Sequence, residues 1–356
     1  MNTSTNIRIF FLFFLFSLFF CNGFAQSGGK YTYAFLLNPS SARQAAMGGL
    51  LYNKNDHDVQ LAIQNPSLLS DEIHNQLMLS FIDYPSDISS FSGAYAHSFR
   101  KAGDFSASLQ YIGYGKFTET DATGLSYGDF TAQDYMAQIG WGRKLDSAFS
   151  LGANLKFIGS SYADYESFGL AADIALGYYN PEKRISATAI AQNAGRQIKS
   201  YTDVREPLPF GIHLALSQKL KHAPFTYSVV WQHLESWNLN FSDPNDPKIQ
   251  RDAVTGEIIE KSKAGKFFDK TFRHLIFGIE FQPFKAFALR ASYNYQKRQE
   301  MSLPTRTGLS GFSWGFGLRI SKFQFSYARS TFHPAASPNY ITISTRLSDF
   351  AKGSSK

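Results

Sequence analysis

The feature that most constrains this chain is a strict alternation across residues 150–178. Its first arm places Leu151, Ala153, Leu155 and Phe157 on odd positions, with Ser150, Gly152, Asn154 and Lys156 on even ones. After a polar link at 160–167 the pattern resumes on even positions as Phe168, Leu170, Ala172, Ile174, Leu176 and Tyr178. Their neighbours are Ser167, Gly169, Ala171, Asp173, Ala175 and Gly177. A period of two sustained over about ten residues describes a strand with one apolar face and one small or polar face. Lys156 and Asp173 lie mid-strand on the second face, so that face meets water or polar groups rather than a dry core. Strands of about ten residues with one greasy and one wet face are what a closed, bilayer-spanning barrel requires.

The same alternation recurs along the chain. Apolar rows begin at Leu77, Phe91, Phe105, Tyr135, Phe210, Phe225, Leu275, Phe287, Phe312, Phe323 and Ile341, with a weaker row over 185–192. With the opening pair this predicts about fourteen strands, an even number as in bacterial single-chain barrels. Connectors alternate in length. Short turns fall near Ala102, Asp146, Pro181, Ala223, Pro283 and Ser321, and long connectors span 115–129, 193–208, 234–272 and 297–310. Short turns at one rim and long loops at the other are the asymmetry of an outer-membrane barrel. A soluble β-sandwich also alternates. Against it stand the strand length, the long connector class and a girdle of aromatics near strand ends: Tyr111, Tyr114, Trp141, Tyr162, Tyr178, Tyr179, Tyr293 and Tyr295.

Composition agrees. Phe alone contributes 34 of 356 residues, yet charged residues are 18 %. Beyond the N-terminus no apolar run approaches the roughly 20 residues of a membrane helix. Residues 1–25 read as a signal peptide: Arg8, an apolar segment of about 12 residues at 9–20, then Gly23 and Ala25 before Gln26. Cys21 raises a lipoprotein reading, which the bulky Phe20 before it disfavours. Removal of the leader takes away the chain's one cysteine, so no disulfide is expected. The net charge of +7 points to anionic lipid headgroups or lipopolysaccharide, since an exported chain rarely meets nucleic acid.

Residues 26–75 do not alternate. A short helix is expected over 39–47, with Asn38 or Ser40 as N-cap and Gly48-Gly49 as its stop. Asn65 and Pro66 read as an N-cap followed by proline at the first helical position. About fifty residues cannot hold a substantial core alone, so the segment must dock, as a hatch or plug, on the barrel formed by 76–350.

No catalytic signature is present: none of the eight histidines joins a Ser and an acid at a recognisable spacing. No cofactor or metal is expected. Gly113-Tyr114-Gly115, Gly140-Trp141-Gly142 and Gly315-Phe316-Gly317 lack the strand-to-helix setting of a dinucleotide loop and read as small wall residues. Asp243, Asn245 and Asp246 resemble fragments of a calcium loop without its Gly and Glu, and fit a polar turn better. Lys156, Asp173, Glu280, Arg290 and Arg319 are lumen charges, expected to pair with one another or with the plug. In the longest connector Trp237, Leu239, Phe241, Phe267 and Phe268 stand among polar residues, the make-up of a partner-binding surface or of a loop folded over the mouth.

Two stretches carry a family resemblance. Residues 41–49, Ser-Ala-Arg-Gln-Ala-Ala-Met-Gly-Gly, followed by Asn65-Pro66-Ser67-Leu68-Leu69, resemble the hatch signature of the FadL-type outer-membrane barrels. That resemblance makes Arg43, Gly48, Gly49, Asn65 and Pro66 the hatch motif. Ser67 replaces the family's usual Ala. Within the family, hatch wording, basic charge and length are similar to the PorQ-like components of the type IX secretion system of Bacteroidetes. The resemblance implies a non-enzymatic anchor for a PorZ-like surface protein, with PorU and PorV-like proteins, in a complex that joins cargo to anionic lipopolysaccharide. The wider family implies the alternative, transport of hydrophobic small molecules.

Overall fold

A computed structural model describes residues 31–50, 58–99, 101–239, 262–301, 308–331 and 337–351. Phe241, the acidic turn at 243–246 and the leader lie outside the described residues. Fourteen strands form one closed antiparallel barrel. They are β1 Gln76–Asp83, β2 Ser89–Phe99, β3 Gly103–Thr120, β4 Ser126–Lys144, β5 Phe149–Tyr162, β6 Tyr165–Asn180 and β7 Ile185–Lys199. The rest are β8 Gly211–Lys219, β9 Phe225–Trp231, β10 Leu275–Phe284, β11 Phe287–Asn294, β12 Phe312–Ile320, β13 Phe323–Ser330 and β14 Asn339–Arg346. Each strand pairs with its sequence neighbours, and β1 closes the ring on β14 through pairs such as Phe81 with Ile341. Closure leaves no open sheet edge.

The side-chain pattern is inside-out relative to a soluble protein. Leu155, Phe157, Ile174 and Leu176 are exposed, whereas Ser150, Asn154, Lys156 and Asp173 on the other face of the same strands are buried. Leu79, Leu109, Ile139, Leu214, Trp314 and Ile343 continue the exposed apolar surface around the ring. A belt of this size is stable only against hydrocarbon, which makes the barrel transmembrane. None of the described helices is long and apolar enough to cross a membrane.

Barrel height is uneven. Strands β3 to β7 run 18, 19, 14, 16 and 15 residues. Strands β8 to β14 run only 7 to 10. The expected loop at 115–129 is instead mostly a continuation of the β3–β4 ribbon. After a register shift between Gly113 and Lys116, Phe117 pairs with Phe130 and Glu119 with Gly128. Gly115, at φ +81°, sits in that irregularity. The link at 160–167 shrinks likewise to a tight turn between Tyr162 and Tyr165, and β7 takes up part of 193–208. The low side carries two helices at its long-loop rim, Lys263–Arg273 and Tyr295–Met301.

The N-terminal segment threads the lumen from the long-loop mouth to the short-turn mouth. Near the long loops, the Thr32 N–H donates to the Pro207 carbonyl at 3.0 Å and Tyr33 shares a hydrogen bond with Ser167. The helix is shorter than its sequence suggests, Ala42–Ala46, and Ser41 rather than Asn38 or Ser40 caps it. Gly48 and Gly49 end it with φ of +85° and +101°, the left-handed values that favour glycine. Nine residues beyond Gly49, Asp58 caps a single turn, Val59–Ala62. Asn65 caps a 3-10 turn at Pro66–Leu68, its side chain accepting the Ser67 N–H at 3.1 Å. The segment leaves at the short-turn rim, where the Asn75 N–H donates to the Ala96 carbonyl just before β1.

Candidate functional site

The candidate functional centre is the contact between this hatch and the wall around it, with the cavity above. On the β4–β6 side the wall is floored with glycine. A Cβ on Gly142 would stand 2.6 Å from the Leu69 Cβ, and one on Gly177 would stand 2.9 Å from the Ser67 Oγ. A Cβ on Gly152 would overlap the Pro66 carbonyl. The turn at 65–69 therefore lies directly on the backbone of three adjacent strands. Just above it, Gln138 and Asn154 donate to the Ile63 carbonyl at 2.8 and 3.2 Å.

On the opposite side the contact is ionic. Arg43, 2 % exposed, donates to Asp58 at 3.0 Å and to Glu280 on β10 at 3.3 Å. Arg290 on β11, the cross-strand partner of Glu280, donates to the same carboxylate oxygen at 2.5 Å. Two guanidinium groups and two carboxylates thus neutralise one another in the lumen. Asp58 and Arg43 come from the hatch, Glu280 and Arg290 from the wall. A buried ion set of this kind tolerates no missing member, because the remainder is left charged and desolvated.

The other lumen charges behave differently. Lys156 binds Asp173 at 2.8 Å and Asn193 at 2.8 Å, while Asn154 donates to Asp173 at 2.9 Å. The charges of this set pair within β5, β6 and β7, and the hatch adds only the Ile63 carbonyl, bound by Asn154. Arg319 departs from the expectation of a buried lumen charge. It occupies the lumen-facing register of β12, but at the last turn of the short-turn rim, where it is exposed and donates to Gln324 at 3.2 Å. Leu239 departs too: it is buried at the cavity wall, so it offers nothing to an outside partner. Trp237, Phe267 and Phe268 are exposed and adjacent, with Trp237 stacked on His274 at 5.4 Å and 6.3 Å from Phe267.

Above the hatch lies a cavity of about 260 Å³, floored by Gly48, Gly49, Ile63 and Gln64. Gln44, Gln110, Gln192, Lys156 and Lys297 contribute polar walls, and Leu36, Leu50 and Met136 apolar ones. Gln110 is 6 % exposed, and its amide nitrogen has no partner among the described residues. At the rim, His233 and Glu235 pair at 2.9 Å, and Glu235 also accepts the Ile212 N–H at 2.8 Å. Burial alone would raise the Glu235 carboxyl, but the His233 and Ile212 contacts outweigh it and hold the group below its ordinary value. Burial pushes the Lys297 ammonium the other way, down to about 8, against the pull of Glu300.

Sequence reasoning missed further buried carboxylates, Asp134 and Asp58 among them. Asp134 on β4, 1 % exposed, accepts hydrogen bonds from the hydroxyls of Tyr114 at 2.5 Å, Tyr162 at 3.0 Å and Ser160. Tyr114 and Tyr162 therefore turn inward rather than joining the outer girdle. Their even numbering on strands whose odd residues face lipid was the available signal. Asp58 carried none, because its partner Arg43 lies across a stretch with no periodicity.

No family model and no curated protein matches this sequence. Among solved structures the chain is similar to the P. putida toluene transporter TodX, at 11 % identity and a TM-score of 0.52, over 87 % of this chain and 99 % of that one. A deltaS2S3 mutant of TodX, a monoaromatic hydrocarbon channel, gives 12 % identity and 0.50 over 87 % and 100 %. A Pseudomonas aeruginosa FadL homologue gives 11 % and 0.45 over 86 % and 97 %. At such identities the likeness is one of fold: the chain is a closed fourteen-stranded barrel of the architecture seen in TodX, with its own N-terminal segment in the lumen.

Proposed function

We propose that the protein is a plugged outer-membrane barrel that holds a partner protein at the cell surface. The observation that carries this reading is the Arg43 ion set, which ties the hatch to β10 and β11 inside the lumen. A conduit needs a plug that can rearrange; a membrane anchor is served by one held in place. The tall β3–β4 ribbon supports the reading as well, since Leu125 and Tyr127 near its tip are exposed beyond any length a bilayer requires. The role needs no catalysis and no cofactor. The resemblance to PorQ-like proteins gives the partner its finer form: a PorZ-like surface protein, with PorU and PorV-like proteins, in a type IX secretion complex facing lipopolysaccharide. Affinity purification from detergent-solubilised outer membranes should bring a surface protein along. Removing 240–261 and the ribbon tip, with the barrel still folded, should release it. Recovery of the barrel alone from native membranes would contradict the reading.

Transport of hydrophobic small molecules is the second reading, favoured by the fold likeness to TodX and by Leu36, Leu50 and Met136 in the cavity wall. A ligand there would have to cover the unpartnered amide of Gln110, which costs a hydrocarbon about 1–3 kcal/mol. Reproducible binding of an aromatic hydrocarbon beside 47–50 would favour transport over anchoring.

A further inference from the structure

The helix Lys263–Arg273 is oriented the wrong way for a surface in water. At 100° per residue Phe267, Phe268, Thr271 and Phe272 share one side, with Lys266, Asp269, Lys270 and Arg273 opposite. On the polar side, Asp269 and Arg273 face the protein. Asp269 and Arg273 pair at 3.0 Å with side chains only 11 % and 14 % exposed, and the Tyr295 hydroxyl donates to Asp269 at 2.9 Å. The aromatic side faces out, with Phe267 57 %, Phe268 58 % and Phe272 41 % exposed. A helix on a soluble surface has the reverse arrangement.

We propose that this aromatic face is seated in the outer leaflet, at the boundary between acyl chains and anionic headgroups. Position supports it. Only His274 separates the helix from β10, and the Phe272 ring lies 5.8 Å from Tyr295. Tyr295 stands two residues beyond Tyr293, whose ring meets Phe312 at 4.6 Å on the lipid-facing surface. The aromatic face thus continues an interface already built. Height supports it as well. The seven residues of β9 cover only roughly 18 Å of the membrane normal at ordinary rise and tilt, against an apolar band of about 25 Å. The helix supplies apolar surface where the strands run short. Charge agrees with the fit: on this helix Lys266, Lys270 and Arg273 outnumber Asp269, a basic balance that suits an anionic headgroup layer. Phe267 and Phe268 then belong to the membrane rather than to the partner-holding surface.

The inference rests on the barrel crossing a bilayer and not on the partner. Its test uses full-length protein with Cys21→Ser and a single bimane-labelled cysteine at Phe268→Cys, Phe325→Cys or Tyr127→Cys. Each is reconstituted in phosphatidylethanolamine–phosphatidylglycerol vesicles with brominated or plain acyl chains. Label at 268 should lose at least half its fluorescence to brominated lipid, as should label at 325 on the outer wall. Label at 127 on the ribbon tip should respond only to aqueous iodide. If 268 follows 127 while 325 follows the lipid, the helix face is not in the membrane and the inference is wrong. If 325 also ignores the lipid, the transmembrane barrel itself is wrong, and the inference falls with it.

Discussion

Along β4 to β6 the hatch lies against a wall stripped of side chains at three points, because Gly142, Gly152 and Gly177 leave room for the turn at 65–69. Along β10 and β11 the hatch touches the wall through charge, with Arg43 between Asp58 and Glu280. The two sides also differ in their own electrostatics. On the tall side Lys156 and Asp173 satisfy each other within the wall, and the hatch adds only a carbonyl to the network. On the low side Glu280 serves two guanidinium groups, one of which belongs to the hatch. Close packing sets where the hatch sits, and the ion set makes its departure costly. Shape alone would tolerate sliding, whereas a buried charge without its partner would not.

That contrast can be broken most sharply at Arg43. Arg43→Met leaves Asp58 without its cation and should cost about 3–5 kcal/mol in urea unfolding of the lipid-embedded barrel. Adding Asp58→Asn should recover part of that loss. On the glycine side, Gly152→Val should cost about 1–3 kcal/mol, because the added side chain overlaps the Pro66 backbone and forces the turn to move. Equal losses at the two sites would erase the distinction.

Titration sharpens the picture at the mouth. The Lys297 ammonium is lowered to about 8 from an ordinary 10.5, so between those values the unfolded chain holds the proton and the folded chain does not. Stability should therefore rise with pH from about 8 to 10.5, and Lys297→Met should abolish that rise in thermal melts. The smallest effect belongs to the ribbon tip. Hydrogen bonds from the Thr123 hydroxyl and from Leu125 and Tyr127 hold Asp121 down at about 2. Its contribution is complete above the ordinary value of 3.8 and is lost as pH falls through about 2. Asp121→Asn should speed amide exchange at Thr123 and Leu125 and leave the rest of the barrel unchanged.

The barrel itself was legible because alternation is local. Apart from the weak row of β7, each strand shows its greasy row in its own residues, and lipid-facing rows such as Leu151 to Phe157 need no knowledge of partners. The ribbon above β3 and β4 was not legible, since the irregularity at Gly115 breaks the alternation where pairing continues. The helix at 263–273 lay hidden in a stretch whose polar turns masked an aromatic face at helical spacing. The Arg43 ion set was beyond reach for another reason. Arg43 and Glu280 are 237 positions apart, and nothing in either neighbourhood names the other. Glu280 and Arg290 could be read as lumen charges from strand register, but their common partner emerges only when the hatch is inside.

Conductance across a planar bilayer is the most direct test that the hatch seals the lumen. The native protein should insert without opening a steady channel, and a variant combining Arg43→Met with Gly152→Val should open one. A steady conductance from the native protein, unchanged by those substitutions, would contradict the account.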